Sequence, residues 1–160
     1  MLSIRFANSN DAALLATLIR ELAEYDRLGN EAIVTEEDIA RDGFGSRPRF
    51  RALIAEWDGQ VAGYAVFFEI YSTFQGHAGL FLDDIFVRPP FRKKGIGKAL
   101  LSRVAKIALE ENLFCVRWEV LEWNTLALDF FGHLGAAFMD DWKSGLLIGE
   151  TLEEVAKDSA

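Results

Sequence analysis

The run from Leu80 to Leu101 constrains this chain more than any other stretch. Leu80 to Val87 is apolar except for Asp83 and Asp84, and its length suits a buried strand. Pro89-Pro90 ends that strand and removes two amide donors. Gly95 and Gly97 allow close approach of the backbone and positive φ. Ile96, Leu100, Val104 and Ile107 then follow helical spacing. From Ile85 to Leu109 there is no Asp or Glu, while Arg88, Arg92, Lys93, Lys94, Lys98, Arg103 and Lys106 are basic, in a chain of net charge -8. A helix beginning near Gly95 aims unpaired N–H groups and its positive dipole end at this loop. Strand, glycine loop and helix mouth together predict a site for an anion of the pyrophosphate kind.

Two familiar phosphate loops are excluded by position. A Walker A loop requires Gly and Ser or Thr where this chain has Arg92 and Ala99, and a dinucleotide fingerprint requires a third glycine where it has Leu100. Arg92-x-x-Gly95-x-Gly97 instead resembles the Gln/Arg-x-x-Gly-x-Gly/Ala signature of the GNAT N-acetyltransferases, whose loop amides hold the pyrophosphate of acetyl-coenzyme A. The plain structural reading of the same residues is a solvated basic helix face.

The remaining composition narrows the classes. The 160 residues fit one domain, 1–160, and 51% hydrophobic content is enough for a packed core. No apolar run reaches a membrane span, and the first residues read as a strand and not a signal peptide, so a cytoplasmic protein is expected. Cys115 is the only cysteine and sits in an apolar run; His77 and His133 have no metal-ligand spacing, so neither a disulfide nor a metal is expected. The acidic balance argues against nucleic acid and fits a cationic small substrate.

In chain order, Leu2, Ile4 and Phe6 alternate as a strand, and Asn8 or Asn10 can cap a helix that runs to about Asp26. Thr35 to Asp38 reads as a capping box opening a second helix that ends at Gly43-Phe44-Gly45. Phe50 to Trp57 and Val61 to Tyr71 form a hairpin about Asp58-Gly59. After the central strand and helix come a strand over 114–120, a helix over 124–134 stopped by Gly135, a hairpin of 136–139 with 142–148, and a terminal helical turn over 150–157. The plan is α/β with a mixed, mostly antiparallel sheet flanked by helices.

That order resembles the GNAT (acyl-CoA N-acyltransferase) fold. The likeness extends to the spermidine/spermine (diamine) acetyltransferases and bacterial thialysine-acetyltransferase-like relatives, through Leu18 to Tyr25, Thr35 to Asp38, Asp42 to Gly45, Leu82 to Val87, Glu122-Trp123-Asn124, Phe130-Phe131 and Leu134-Gly135-Ala136. The resemblance implies direct acetyl transfer from acetyl-coenzyme A to an amine. It assigns cofactor contacts to Ile85, Phe86, Val87, Arg88, Arg92, Lys93, Lys94, Gly95, Ile96, Gly97, Lys98, Asn124 and Phe131. It further implies a gap beside the central strand, where neighbouring strands splay.

Asp83 aligns with the family's glutamate near the amine and is the candidate general base, acting through one water because Asp is a methylene shorter. Alternation along a strand sends Asp83 and Asp84 to opposite faces unless a bulge intervenes. Phe131 departs from the family: relatives carry the tyrosine proposed to protonate the leaving thiolate. Tyr25, Asp26, Asp83, Asp84 and Trp142 are the candidate substrate contacts. Each has a structural reading beside it, as a helix end, a hydrogen-bonding strand residue or a loop. The implied partners are a small amine and a second copy of the chain, a homodimer, with no nucleic acid and no membrane. The alternatives are a protein or peptide N-acetyltransferase and a weakly catalytic cofactor-binding module.

Overall fold

A computed structural model describes residues 1–157. They form two compact units, one from Met1 to Leu121 and one from Glu122 onward. The first carries β1 (Leu2–Phe6), α1 (Ala12–Tyr25), α2 (Glu36–Phe44), β2 (Arg51–Trp57), β3 (Gln60–Ser72), β4 (His77–Val87), α3 (Ile96–Glu110) and β5 (Val116–Arg117). The strands form one sheet in the order β1-β2-β3-β4-β5, antiparallel throughout except that β4 and β5 are parallel. The expected mixed, mostly antiparallel sheet is what forms.

Local signals set the element ends. Asn8 Oδ1 accepts the Asn10 N–H at 3.0 Å, and Asp11 Oδ2 accepts the Asn8 N–H at 2.8 Å, closing a 3-10 turn that feeds α1. Thr35 Oγ1 accepts the Asp38 N–H at 3.1 Å and Asp38 Oδ2 accepts the Thr35 N–H at 3.0 Å, so the capping box opens α2 as predicted. Asp58 and Gly59 both take positive φ, as a tight hairpin requires.

Each face of the sheet has its own core. On one, Leu100, Val104 and Ile107 of α3 pack on Leu53, Ala65, Phe67, Leu80 and Leu82. On the other, Leu15 and Leu18 of α1 and Ile39 of α2 pack on Ile54, Tyr64, Val66 and Phe86. Fully burying one such leucine or phenylalanine contributes roughly 1.5–3 kcal/mol. Leu82 belongs to the first core and Phe86 to the second, although both are even-numbered residues of one strand. The register accounts for it: Val66 pairs with Asp84, but Phe67 pairs with Leu82, so Asp83 is the extra residue of a β-bulge.

The bulge reverses the phase of β4 at Asp83. Downstream of it, β3 and β4 run so close that a Cβ at Gly63 would lie 2.3 Å from the Phe86 carbonyl oxygen.

Two sequence expectations are corrected. The strand expected over 114–120 is only Val116–Arg117, because its ladder with β4 ends after the pairs Leu80–Val116 and Phe81–Arg117. The expected hairpin of 136–139 with 142–148 does not form: neither segment is a strand, and Phe138, Trp142, Leu146 and Ile148 are exposed. Two short strands with no sheet to pack on are marginal at best.

The second unit has α4 (Thr125–His133) and α5 (Gly149–Lys157). Asn124 caps α4 by accepting the Ala127 N–H at 3.2 Å, and Gly135, at φ +83°, stands just past its end. No helix among the described residues is long and apolar enough to cross a membrane.

Candidate active site

The site begins at the mouth of α3. After β4, Pro89 to Phe91 makes one 3-10 turn, Lys93 takes φ +61° and Gly95 takes φ +78°. That left-handed pair turns the chain into the helix, whose first closing bond runs from the Ala99 N–H to the Gly95 carbonyl at 3.0 Å. The amides of Ile96, Gly97 and Lys98 precede that bond and head the helix with its positive dipole end. Nothing lies within 4 Å of a Cβ built on Gly95, so the mouth is open. Lys93, Lys94 and Lys98 are exposed around it. Lys94 Nζ stands 5.0 Å over the Trp57 ring and 5.6 Å over Phe91, which holds one cation beside the mouth.

The two predicted arginines are tied into the protein. Arg88 makes a bidentate pair with Glu21 at 2.6 and 2.7 Å, and its N–H donates to the Ala62 carbonyl at 2.9 Å. Arg92 Nε donates to the Val87 carbonyl at 2.9 Å while its guanidinium covers Tyr25 at 4.4 Å and Phe86 at 5.8 Å. Arg92 thus ties the glycine loop to the end of α1.

Beside this mouth β4 loses a neighbour. It pairs with β3 as far as Val87 but with β5 only as far as Phe81. The Arg88 N–H faces β3, so the alternation of an antiparallel ladder turns the N–H groups of Ile85 and Val87 to the unpaired side. Polar backbone groups of Ile85 and Val87 therefore border the splayed edge, while the Phe86 side chain is buried against α1.

Three carboxylates gather where β4 meets the end of α1. Asp84 is half-buried and its Oδ2 accepts the Tyr64 hydroxyl at 2.9 Å. Burial first, then the neighbouring Asp83 charge, pushes the Asp84 carboxyl up to about 6. Asp26, the residue after α1, is raised by desolvation. Asp83, at the bulge, is exposed at its edge yet raised by partial burial and then by Glu119. Among the described residues none of Asp26, Asp83 and Asp84 makes an ion pair.

The sequence reading anticipated Tyr25, Asp26, Asp83 and Asp84, and all four lie in the first unit. It missed Tyr64 and Glu119. The Tyr64 ring is fully buried and its phenol is held well above its ordinary range by burial and by Asp84. The signal was a lone hydroxyl inside the apolar strand Ala62 to Phe67, which demands a buried partner.

Asn124, Phe131 and Trp142 belong to the second unit. Asn124 is the helix cap described above, Phe131 is buried with its ring 5.0 Å from Phe130, and Trp142 is exposed. Among the described residues no group of His, Cys, Asp and Glu is arranged to hold a metal ion.

The profile of the acetyltransferase (GNAT) family matches residues 14–136. A thialysine N-epsilon-acetyltransferase of Sus scrofa is 36% identical over 164 residues, covering 96% of each chain. The L-ornithine N5-acetyltransferase NATA1 of Arabidopsis thaliana is 29% identical, over 96% of this chain and 87% of its own. Among solved structures, an integron cassette protein from the mobile metagenome of V. cholerae superposes with a TM-score of 0.82 over 98% of both chains at 24% identity.

Proposed function

The chain belongs to the acetyltransferase (GNAT) family, and from that premise we propose that it acetylates a primary amine of a small cationic substrate, a polyamine, a diamine or a lysine analogue, in a ternary complex with acetyl-coenzyme A. One observation carries the choice of substrate class: Asp26, Asp83 and Asp84 gather where β4 meets the end of α1 and make no ion pair among the described residues. Such a site gains most from a ligand bringing positive charge.

The mouth of α3 fits the cosubstrate's pyrophosphate: the amides of Ile96, Gly97 and Lys98 head the helix, Gly95 leaves the approach open, and Lys93, Lys94 and Lys98 surround it. Ile85 and Val87 offer the pantetheine arm a strand edge. Bound acetyl-coenzyme A supplies an activated thioester carbonyl. The protein orients the amine, removes its proton and excludes competing water. A free alkyl ammonium loses its proton only near pH 10, so a carboxylate must take it before attack. Asp83 is the residue to which the resemblance gives that step, with Asp84 beside it. The amine's electron pair then forms the C–N bond, the nitrogen loses its second proton to water, the C–S bond breaks, and sulfur leaves with the pair. Phe131 has no proton to give that sulfur, so the thiolate leaves unprotonated or takes a proton from water.

The protein is further read as cytoplasmic and as a homodimer, the dimer supported by the exposed Trp123, Leu126, Phe138, Met139, Trp142 and Leu147 in the second unit. Isolated domains rarely leave so much apolar surface uncovered.

The test is release of coenzyme thiol from acetyl-coenzyme A across spermidine, short diamines, thialysine, aminoglycosides and lysyl peptides. Release with the polyamines or lysine analogues, at kcat/KM at least tenfold above the peptides, is the expected result. Peptide preference reverses the substrate class, and measurable cofactor binding without release with any amine favours a binding module. On the same assay Phe131→Tyr is expected to raise kcat roughly tenfold or more, since a placed acid contributes about 10²–10⁴-fold. Its acetyl-coenzyme A affinity should be unchanged.

A further inference from the structure

Resting on the amine-acetylating reading above, the geometry points to Asp84 as the carboxylate that takes the amine's proton, with Tyr64 as the positioning residue that holds it. The register supplies the first reason. The bulge at Asp83 sends Asp84 onto the α1 face of the sheet, opposite Val66 and on the same face as the buried Phe86. Asp83 stays at the exposed bulge itself and makes no hydrogen bond among the described residues. A carboxylate in water is hydrated and turns freely; one gripped by a buried donor presents a fixed oxygen.

Tyr64 provides that grip. Its side chain is 0% exposed, locked edge-on against Phe86 at 6.4 Å, and its hydroxyl donates to Asp84 Oδ2 at 2.9 Å. No buried side-chain polar atom among the described residues lacks a partner, so this hydroxyl is a satisfied donor with one assigned direction. With Oδ2 engaged, Oδ1 remains as the acceptor. The groups acting on Asp84 are Asp83 from its own strand, Tyr64 from β3, and Asp26 just past the end of α1. Arg92 is turned onto Tyr25 and Phe86, and Glu119 acts on Asp83. Burial first, then the Asp83 and Asp26 charges, raise the basicity of the carboxylate toward that of a useful base, while the Tyr64 bond works in the opposite direction.

In the step itself, the N–H bond of the substrate ammonium breaks and its proton passes to Asp84 Oδ1. The freed pair on nitrogen bonds to the thioester carbon, the nitrogen gives up its second proton to water to become a neutral amide, and the C–S pair departs on sulfur. The proton on Asp84 then leaves to solvent. Tyr64 keeps its own proton throughout.

The experiment is the pH dependence of kcat/KM with spermidine and acetyl-coenzyme A for wild type, Tyr64→Phe, Asp84→Asn and Asp83→Asn. It is paired with a carbon-13 carboxyl titration of the ligand-free protein. Asp84→Asn is expected to lose at least about 100-fold in kcat, the scale of a removed general base, with KM for acetyl-coenzyme A within threefold. Asp83→Asn should raise KM for spermidine and lose clearly less in kcat than Asp84→Asn, as expected of a carboxylate that holds the cation without taking its proton. Tyr64→Phe keeps the ring in the core and removes only the hydroxyl; the acidic limb of kcat/KM and the Asp84 carboxyl titration should both move up by roughly one pH unit. A 100-fold loss in Asp83→Asn with Asp84→Asn near wild type overturns the assignment and leaves the amine-acetylating reading intact. An unmoved limb and titration in Tyr64→Phe overturn the positioning role. If wild type releases no thiol with any amine, that reading fails, and the carboxyl titration still decides whether Tyr64 governs Asp84.

Discussion

Asp11 and Asp84 are the same residue in two places that treat it in opposite ways. Asp11, 7% exposed, accepts from Arg5 at 2.8 and 2.9 Å and from the Asn8 N–H at 2.8 Å. The Arg5 guanidinium holds its carboxyl below the usual carboxylate range, against the push of burial. Asp84 has a phenol for a partner and other carboxylates for neighbours, and burial lifts it to about 6. The protein brings its own cation to the carboxylate that joins β1 to the start of α1. At the end of β4 no cationic side chain among the described residues pairs with Asp84. Structure and function use one side chain, and the presence or absence of a built-in counter-charge separates them.

The largest test of this contrast is Asp11→Ala. It strips Arg5 of its better partner and opens the turn before α1, so a loss of about 2–3 kcal/mol is expected from urea melts at pH 7. Because the folded carboxyl lies below its unfolded value, this contribution is present above the unfolded value and vanishes as pH falls through the folded one. Wild type and variant should therefore converge in strong acid. A loss well under 1 kcal/mol at pH 7 would break the contrast at its structural end.

Asp84→Asn should move stability the other way. The folded carboxyl titrates above its unfolded value of 3.8, so its favourable contribution is complete below that value and is lost as pH rises through about 6. The neutral amide is spared that loss. The variant should gain about 1–2 kcal/mol over wild type at pH 7.5 and nothing at pH 4, a reduced share of the roughly 1.4 kcal/mol per unit that full linkage gives. A loss at pH 7.5 would mean that Asp84 has a counter-charge after all.

The smallest effect sharpens the contrast by exclusion. Arg41 bridges Asp38 and Asp42 at 3.1 and 2.6 Å on the exposed face of α2. Arg41→Ala should leave the thermal midpoint within measurement scatter, because exposed pairs contribute little.

The sequence was most informative where the governing interactions are local. The capping box of Thr35 and Asp38, the Asp58-Gly59 turn, the helix mouth at Gly95 and the stop at Gly135 each follow from a few neighbouring residues, and each forms. Failures fall where the outcome depends on distant partners. The length of β5 is set by where β4 diverges, which Phe114 to Val120 does not encode. The run after Ala136 has the composition of a hairpin but nothing in its own unit to pair with as a sheet. In the site, Asp83 and Asp84 were visible as a pair, together with the condition that only a bulge lets both serve. The bulge itself comes from the register of β3 against β4, and so does the approach of Tyr64.

That bulge also makes residue number part of the architecture. Before Asp83 the strand shows its even positions to α3; after it, to α1. Loss of the Asp83 codon would leave Leu82 opposite Phe67 and Asp84 opposite Val66, an unbulged ladder with every face kept, whereas loss of a paired residue beyond it, such as Ile85, would exchange the faces of Phe86 and Val87. The same loss at the Ser72–His77 tip would merely shorten a solvent loop. Sensitivity to deletion along this strand is therefore expected to be lowest at its one unpaired position and to rise at the paired residues that follow it.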